Sequence, residues 1–168
     1  MSSASTTPPY RILFVCMGNI CRSPMAEGVT RKMAQREGLA SLLETDSAGT
    51  HGHYHAGEPP DPRAQRVAAK HGYDLSKIRA RRVIEADFDC FDRILALDEA
   101  NLAILQRLCP EESRSKLGLL LDYAPELGIS EVPDPYYGAE SGFERVLDLC
   151  ERAARGLLAA CEHGGLER

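Results

Sequence analysis

A cysteine and an arginine separated by five residues, with a serine directly after, stand in the stretch VCMGNICRSPMAEG as Cys16, Arg22 and Ser23. A thiol reacts as its thiolate, and a free cysteine with a pKa of about 8.5 is mostly protonated at neutral pH. A guanidinium, a hydroxyl donor and a helix N-terminus each favour the thiolate, so Cys16 reads as a nucleophile. Arg22 keeps its charge at any relevant pH, and its planar fork fits two oxygens of a phosphoryl group. The intervening residues Met17, Gly18, Asn19, Ile20 and Cys21, together with Arg22, would supply an anion cradle of loop amides. Thiolate plus cradle points to phosphoryl transfer through a cysteinyl-phosphate. The plainer alternative is a cysteine that ends a buried strand and an arginine paired with a surface carboxylate.

Such a loop needs a strand before it and a helix after it. RILFVC has the β-branched and aromatic content of a buried strand ending at Cys16. The segment SPMAEGVTRKMAQREG offers Ser23 as N-cap, Pro24 at the first helical position and a glycine stop, with Gly18 providing the tight turn between. Further on, the sequence predicts a strand ending in TDSAG, a loop THGHYHAGEP and a helix opening at Asp61-Pro62. Then come a strand DRILAL, a helix DEANLAILQRLC, a strand KLGLLLDYA and a helix over GFERVLDLCERAARGLLAAC. Strands alternating with helices imply an α/β fold, a parallel sheet covered on both faces, with the site at the carboxyl ends of strands. Residues 1–9 read as a disordered leader and 10–168 as one domain.

Expelling a basic leaving group from phosphorus calls for a general acid. Two Asp-Pro pairs are candidates. Asp61 precedes a helical pattern and is explained as its cap. Asp134, in PDPYYG, reads as a loop residue and is favoured over Asp61 as the acid, against the commoner use of such an aspartate to start a turn. Asp98 opens the DEAN helix and reads first as its cap. Tyr54, Tyr136 and Tyr137 could wall a flat aromatic ring, or simply pack. Cys21, on the same loop as Cys16, is a candidate partner in a reversible disulfide that would trap a sulfenic acid, or a small apolar filler. Cys90, Cys109, Cys150 and Cys161 fall in apolar or helical patterns and are expected in the core.

The alternating histidines of HGHYH invite a metal reading, but no carboxylate or thiol completes a ligand set beside them, and no metal or other cofactor is expected. A net charge of −5 excludes a general nucleic-acid binder, which would present a basic face. Neither a signal peptide nor an apolar run approaching the roughly 20 residues of a membrane span is present, so a cytoplasmic protein with reduced thiols and no membrane partner is expected.

VCMGNICRSPMAEG, SAGT, PPDPRA, LDEAN and PDPYYG, in this order, resemble the low-molecular-weight protein tyrosine phosphatase family from about Tyr10 through the last helix. The resemblance implies a four-stranded parallel sheet flanked by helices and hydrolysis of phosphotyrosine without a metal. It places the nucleophile on Cys16, the phosphate-binding arginine on Arg22, the thiolate-stabilising hydroxyl on Ser23 and, on Asp134, the acid that then serves as base for the hydrolytic water. It also implies that Asn19 holds the turn with Ser47 and His71 as partners, that Asp98 supports the loop and that Tyr54 belongs to the substrate wall. A second family histidine has no match in YDLSKI.

The implied substrates are phosphotyrosine-containing proteins or small aryl phosphates, with inorganic phosphate as product, acted on by a monomer or weak dimer. An arsenate reductase of the same fold would need a closely spaced downstream cysteine pair, which Cys90 and Cys109 do not form. Family members acting on phosphoarginine carry threonine where this loop has Ile20. A silent phosphopeptide-binding module would lack a nucleophile or acid.

Overall fold

The computed structural model describes residues 8–164 and 166; most of the expected leader, residues 1–7, lies outside the described residues. Strand β1 (Tyr10–Cys16) leads through a loop into helix α1 (Arg22–Arg36), and β2 (Leu43–Gly49) follows. Helices α2 (Pro62–Lys70) and α3 (Asp87–Cys90) precede β3 (Arg93–Ala96), then come α4 (Glu99–Leu108), β4 (Leu117–Leu119) and α5 (Glu140–Glu162). The four strands pair in parallel in the order β2-β1-β3-β4.

The alternation of β1 explains why both faces are covered. Ile12, Phe14 and Cys16 point to one side, where α1, α2 and α5 build the larger core with Met25, Val67, Phe143 and Leu157. Leu13 and Val15 point to the other, joining Ile94, Phe88, Phe91 and Leu105 from around α3, β3 and α4. An inner strand buried on both faces has no polar side to spend, hence the unbroken apolar run. The chain leaves β1 toward β2 on one side and returns to β3 on the other, so the crevice between β1 and β3 is a topological switch point, where α/β sheets bind ligands.

Several local expectations change. Helix α1 begins at Arg22 rather than after Ser23, and no side chain caps it. Pro24 then occupies the third helical position, which is tolerated because the first four helical N–H groups have no acceptor within the helix. Gly38, with φ +72°, ends α1 as expected. The tight turn of the loop is taken by Asn19 at φ 58° and not by Gly18. β4 stops after three residues, and Leu120–Tyr123 turn into a 3-10 helix, with the Asp122 carboxylate accepting the Leu119 N–H at 3.1 Å. Leu120 and Leu121 both join the larger core, which consecutive residues of a strand, pointing to opposite faces, could not do. Cys90 is exposed rather than buried, because the short α3 turns Asp87 and Phe88 inward. Cys109 and Cys150 are buried and Cys161 is half-buried. Among the described residues no helix is long and apolar enough to cross a membrane.

Candidate active site

Cys16 is the last residue of β1 and is buried, with its Sγ 3.0 Å from Ser23 Oγ. Ser23 owes this position to its place in the first turn of α1, where its side chain reaches back over the loop instead of capping the helix. The carbonyls of the loop are tied outward: Thr50 N–H donates to Cys16 O at 2.9 Å, His51 N–H to Met17 O at 2.8 Å and Asp61 N–H to Ile20 O at 2.8 Å. A trans peptide directs its N–H opposite to its C=O, so these ties turn the amides of Met17, Gly18 and Cys21 away from β2 and α2.

Asn19 locks the turn from within. Its fully buried amide donates from Nδ2 to Ser23 Oγ at 2.8 Å and to Ser47 Oγ at 2.9 Å, while Oδ1 accepts the Arg81 N–H at 3.0 Å. Every donor and acceptor of the amide has a partner, which sets its orientation. Asn19 occupies a lone pair of Ser23, leaving the single serine proton for Cys16 or, at a longer 3.4 Å, Ala48 O. Ser47 then donates to Glu27 Oε1 at 2.6 Å, and Glu27 pairs with Arg31. Glu27 was not legible as part of the site, although its place four residues after Ser23 puts it on the same face of α1. His71 is not a partner of Asn19: it ends α2, half exposed, with Nε2 3.0 Å from Glu144 Oε2. Its predicted place is filled by the backbone N–H of Arg81.

Arg22 is held as firmly as the loop. Nη1 donates to Asp98 Oδ2 at 2.6 Å and to Val132 O at 3.0 Å, and Nη2 lies 3.8 Å from Asp134 Oδ2. Burial opposes the arginine's charge, but Cys16, Asp98 and Asp134 together outweigh it and raise its pKa above the ordinary value. Asp98 does two jobs with two oxygens: Oδ1 caps α4 by accepting the Asn101 N–H at 2.7 Å, and Oδ2 takes Arg22. Asp134 divides likewise. Its Oδ1 accepts the Tyr136 N–H at 3.0 Å in a turn, and Oδ2 faces Arg22.

These groups meet in a cavity of about 160 Å³. Cys16, Met17, Gly18, Ile20, Cys21 and Arg22 line it from the loop, and Asp134, Tyr136, Tyr137 and His55 complete the lining. The two tyrosine rings meet edge to face with centroids 4.9 Å apart. Tyr54 is not among the lining residues; it is 71% exposed and its ring lies against His51 and His53. His55 stands where Tyr54 was expected, and the HGHYH pattern, weighed only as a metal motif, was the signal that marked it. Among the described residues no cluster of three His, Cys, Asp or Glu side chains could hold a metal ion. Burial pushes the Cys21 thiol well above its ordinary pKa, with Asp61, Cys16 and Asp134 adding to the effect.

Fold and site together define an α/β protein with a buried thiol and a guanidinium on one loop at the sheet's switch point. The family model described as low molecular weight phosphotyrosine protein phosphatase matches residues 11–165. A low molecular weight protein-tyrosine-phosphatase of Streptomyces coelicolor is 49% identical over 154 residues, which span 90% of this chain and 93% of the relative. The human low molecular weight phosphotyrosine protein phosphatase is 42% identical over 88% of this chain and 92% of its own. A protein tyrosine phosphatase crystal structure from Entamoeba histolytica, with Hepes in its active site, superposes with a TM-score of 0.89 at 43% identity, covering 94% of this chain and 99% of that one. The chain belongs to the low molecular weight phosphotyrosine protein phosphatase family.

Proposed function

We propose that this protein hydrolyses phosphotyrosine in proteins, and small aryl phosphates, through a covalent intermediate on Cys16. The phosphoryl oxygens bind the loop amides and Arg22, and Cys16 Sγ attacks phosphorus. The S–P bond forms as the P–O bond to the phenol breaks, and Asp134 delivers its proton to the departing oxygen. Asp134, now a carboxylate, takes a proton from water as the water oxygen attacks phosphorus. The S–P bond breaks, and inorganic phosphate and the thiolate are released. Ser23 donates to the sulfur in both thiolate states. His55, Tyr136 and Tyr137 flank the ring of the substrate.

The observation that carries this reading is the convergence on one cavity of a buried thiol, its serine partner and an arginine shared by two carboxylates, one of them 39% exposed at the mouth. The proposed route needs no metal and no cofactor. Arsenate reduction by a cysteine relay is disfavoured, since Cys109 lies in the core on the opposite face of the sheet from Cys16 and Cys90 is exposed at the end of α3. Cys21 lines the same cavity as Cys16, and condensation of its thiol with a Cys16 sulfenic acid would give a disulfide and water. A cytoplasmic site of action fits a thiol-dependent reaction.

Phosphate release from a phosphotyrosine peptide, measured in the presence of a chelator, tests the reading. Wild type is expected to keep its activity and Cys16→Ser to lose it by at least about a thousandfold. Activity surviving in Cys16→Ser, or abolished by the chelator in wild type, would overturn it.

A further inference from the structure

Asp134 sits on a loop of two consecutive turns, its own side chain closing the first on Tyr136 N–H and Pro135 O closing the second on Gly138 N–H at 3.0 Å. Short turns on an exposed loop do not by themselves fix a carboxyl group to within a fraction of an ångström. Arg63, in the first turn of α2, reaches across to this loop. Its Nη2 donates to Tyr136 O at 2.9 Å and its Nη1 to Gly138 O at 3.3 Å. The same guanidinium is gripped from behind by Asp61, with Nε on Oδ1 at 3.1 Å and Nη2 on Oδ2 at 2.9 Å. Its carbon lies 4.7 Å from the ring centre of the fully buried Phe143 in α5, which fixes the plane of the fork.

Asp61 completes the connection, because its own N–H donates to Ile20 O in the phosphate loop at 2.8 Å. One side-chain pair thus references the loop that would carry the acid to the loop that would hold the phosphorus. We propose that Arg63, anchored by Asp61, is a positioning residue that sets where the Asp134 carboxyl stands relative to the leaving-group oxygen. This rests on the reading of Asp134 as the general acid. A local cap would account for Asp61 and the Arg63 N–H, but it gives no reason for the guanidinium to bond two carbonyls more than seventy residues away in sequence.

Proton transfer needs the donor within about 3 Å of the acceptor, and misplacement by about 1 Å costs up to a hundredfold in rate. The loss depends on how much the leaving group needs the proton. A phenol with a pKa of about 10 leaves poorly as its anion, whereas a dinitrophenol leaves readily without help.

The experiment compares kcat/KM for phenyl phosphate and dinitrophenyl phosphate in Arg63→Gln, with inhibition by inorganic phosphate as the measure of the cradle. We expect phenyl phosphate turnover to fall about tenfold, dinitrophenyl phosphate to change by less than about twofold, and phosphate inhibition to stay as in wild type. Asp61→Asn retains a capping oxygen for α2 while removing the Oδ2 acceptor of Nη2 and the charge that holds the guanidinium. It should show the same split, and it carries the test if Arg63→Gln folds poorly. Parallel loss on both substrates, or no loss on either, would overturn the proposal. Asp134→Asn separates the two levels of the argument. A split there without one in the Arg63 and Asp61 variants overturns the positioning role alone, and no split in Asp134→Asn removes the acid and the positioning role with it.

Discussion

Asn19 concentrates the cost of building the loop in one residue. A left-handed backbone is unfavourable for any side chain, yet asparagine is among the residues that tolerate it, and here its amide has three bonds that no smaller residue could make. Asn19→Gly keeps the backbone conformation and removes the bonds; Asn19→Ala removes the bonds and adds strain at φ 58°. Urea unfolding should show glycine destabilising by about 2 kcal/mol and alanine by roughly 1 kcal/mol more. A glycine variant as stable as wild type would mean that the amide bonds contribute nothing net, and equal glycine and alanine variants would mean that the strain is negligible. Reading VCMGNICRS as a loop identified Asn19 as its brace from the family resemblance, but nothing in the string distinguishes it from Gly18 as the residue at positive φ. Side-chain satisfaction decides that, and it depends on Ser47 and Arg81, which only the folded chain brings near.

At the scale of elements, the site is the junction of β1 and α1, and α1 is held down by α5. Of the two glycines in α5, Gly156 packs the closer, and a Cβ added there would lie 1.8 Å from Tyr123 O. Backbone cannot move aside as a flexible side chain would. Gly156→Ala gains about 1 kcal/mol in helix propensity yet is expected to lose roughly 1–3 kcal/mol overall, read as a lower urea midpoint. An unchanged or raised midpoint would show that the 3-10 turn at Leu120–Tyr123 yields easily. Elements whose signal is local were legible: the apolar run of β1, the Asp61-Pro62 start of α2, the Asp98 cap of α4 and the amphipathic α5 all stand where periodicity and capping chemistry put them. The illegible parts have non-local causes. β4 is cut short by two successive leucines that join the same core, α1 starts two residues early because the loop after β1 runs straight into it, and His71 faces Glu144 on α5, about seventy residues on.

For the molecule as a whole, the line of contacts from Cys16 through Ser23, Asn19 and Ser47 ends on the buried carboxylate of Glu27. Burial raises the pKa of Glu27 above its ordinary value of 4.5, and this outweighs the opposing effects of the Ser47 hydrogen bond and the Arg31 pair. Unfolded, Glu27 regains its ordinary pKa, so between that value and the raised one the folded state binds more protons than the unfolded state. Stability from this group is then greatest below 4.5 and is lost as pH rises through the folded pKa. Glu27→Gln removes the titration while keeping an oxygen for Ser47 to donate to. Asp61 and Asp74, whose pKa values are lowered and whose contributions run the opposite way, are common to both proteins and cancel in the comparison. Urea unfolding from about pH 5 to about pH 8 should therefore show wild type losing stability relative to Glu27→Gln as pH rises. If the Arg31 pair instead governed Glu27, the ionised form would be the stabilised one and wild type would gain on the variant over the same range, so the sign of the slope decides whether desolvation or pairing controls the far end of the hydrogen-bonded line from Cys16.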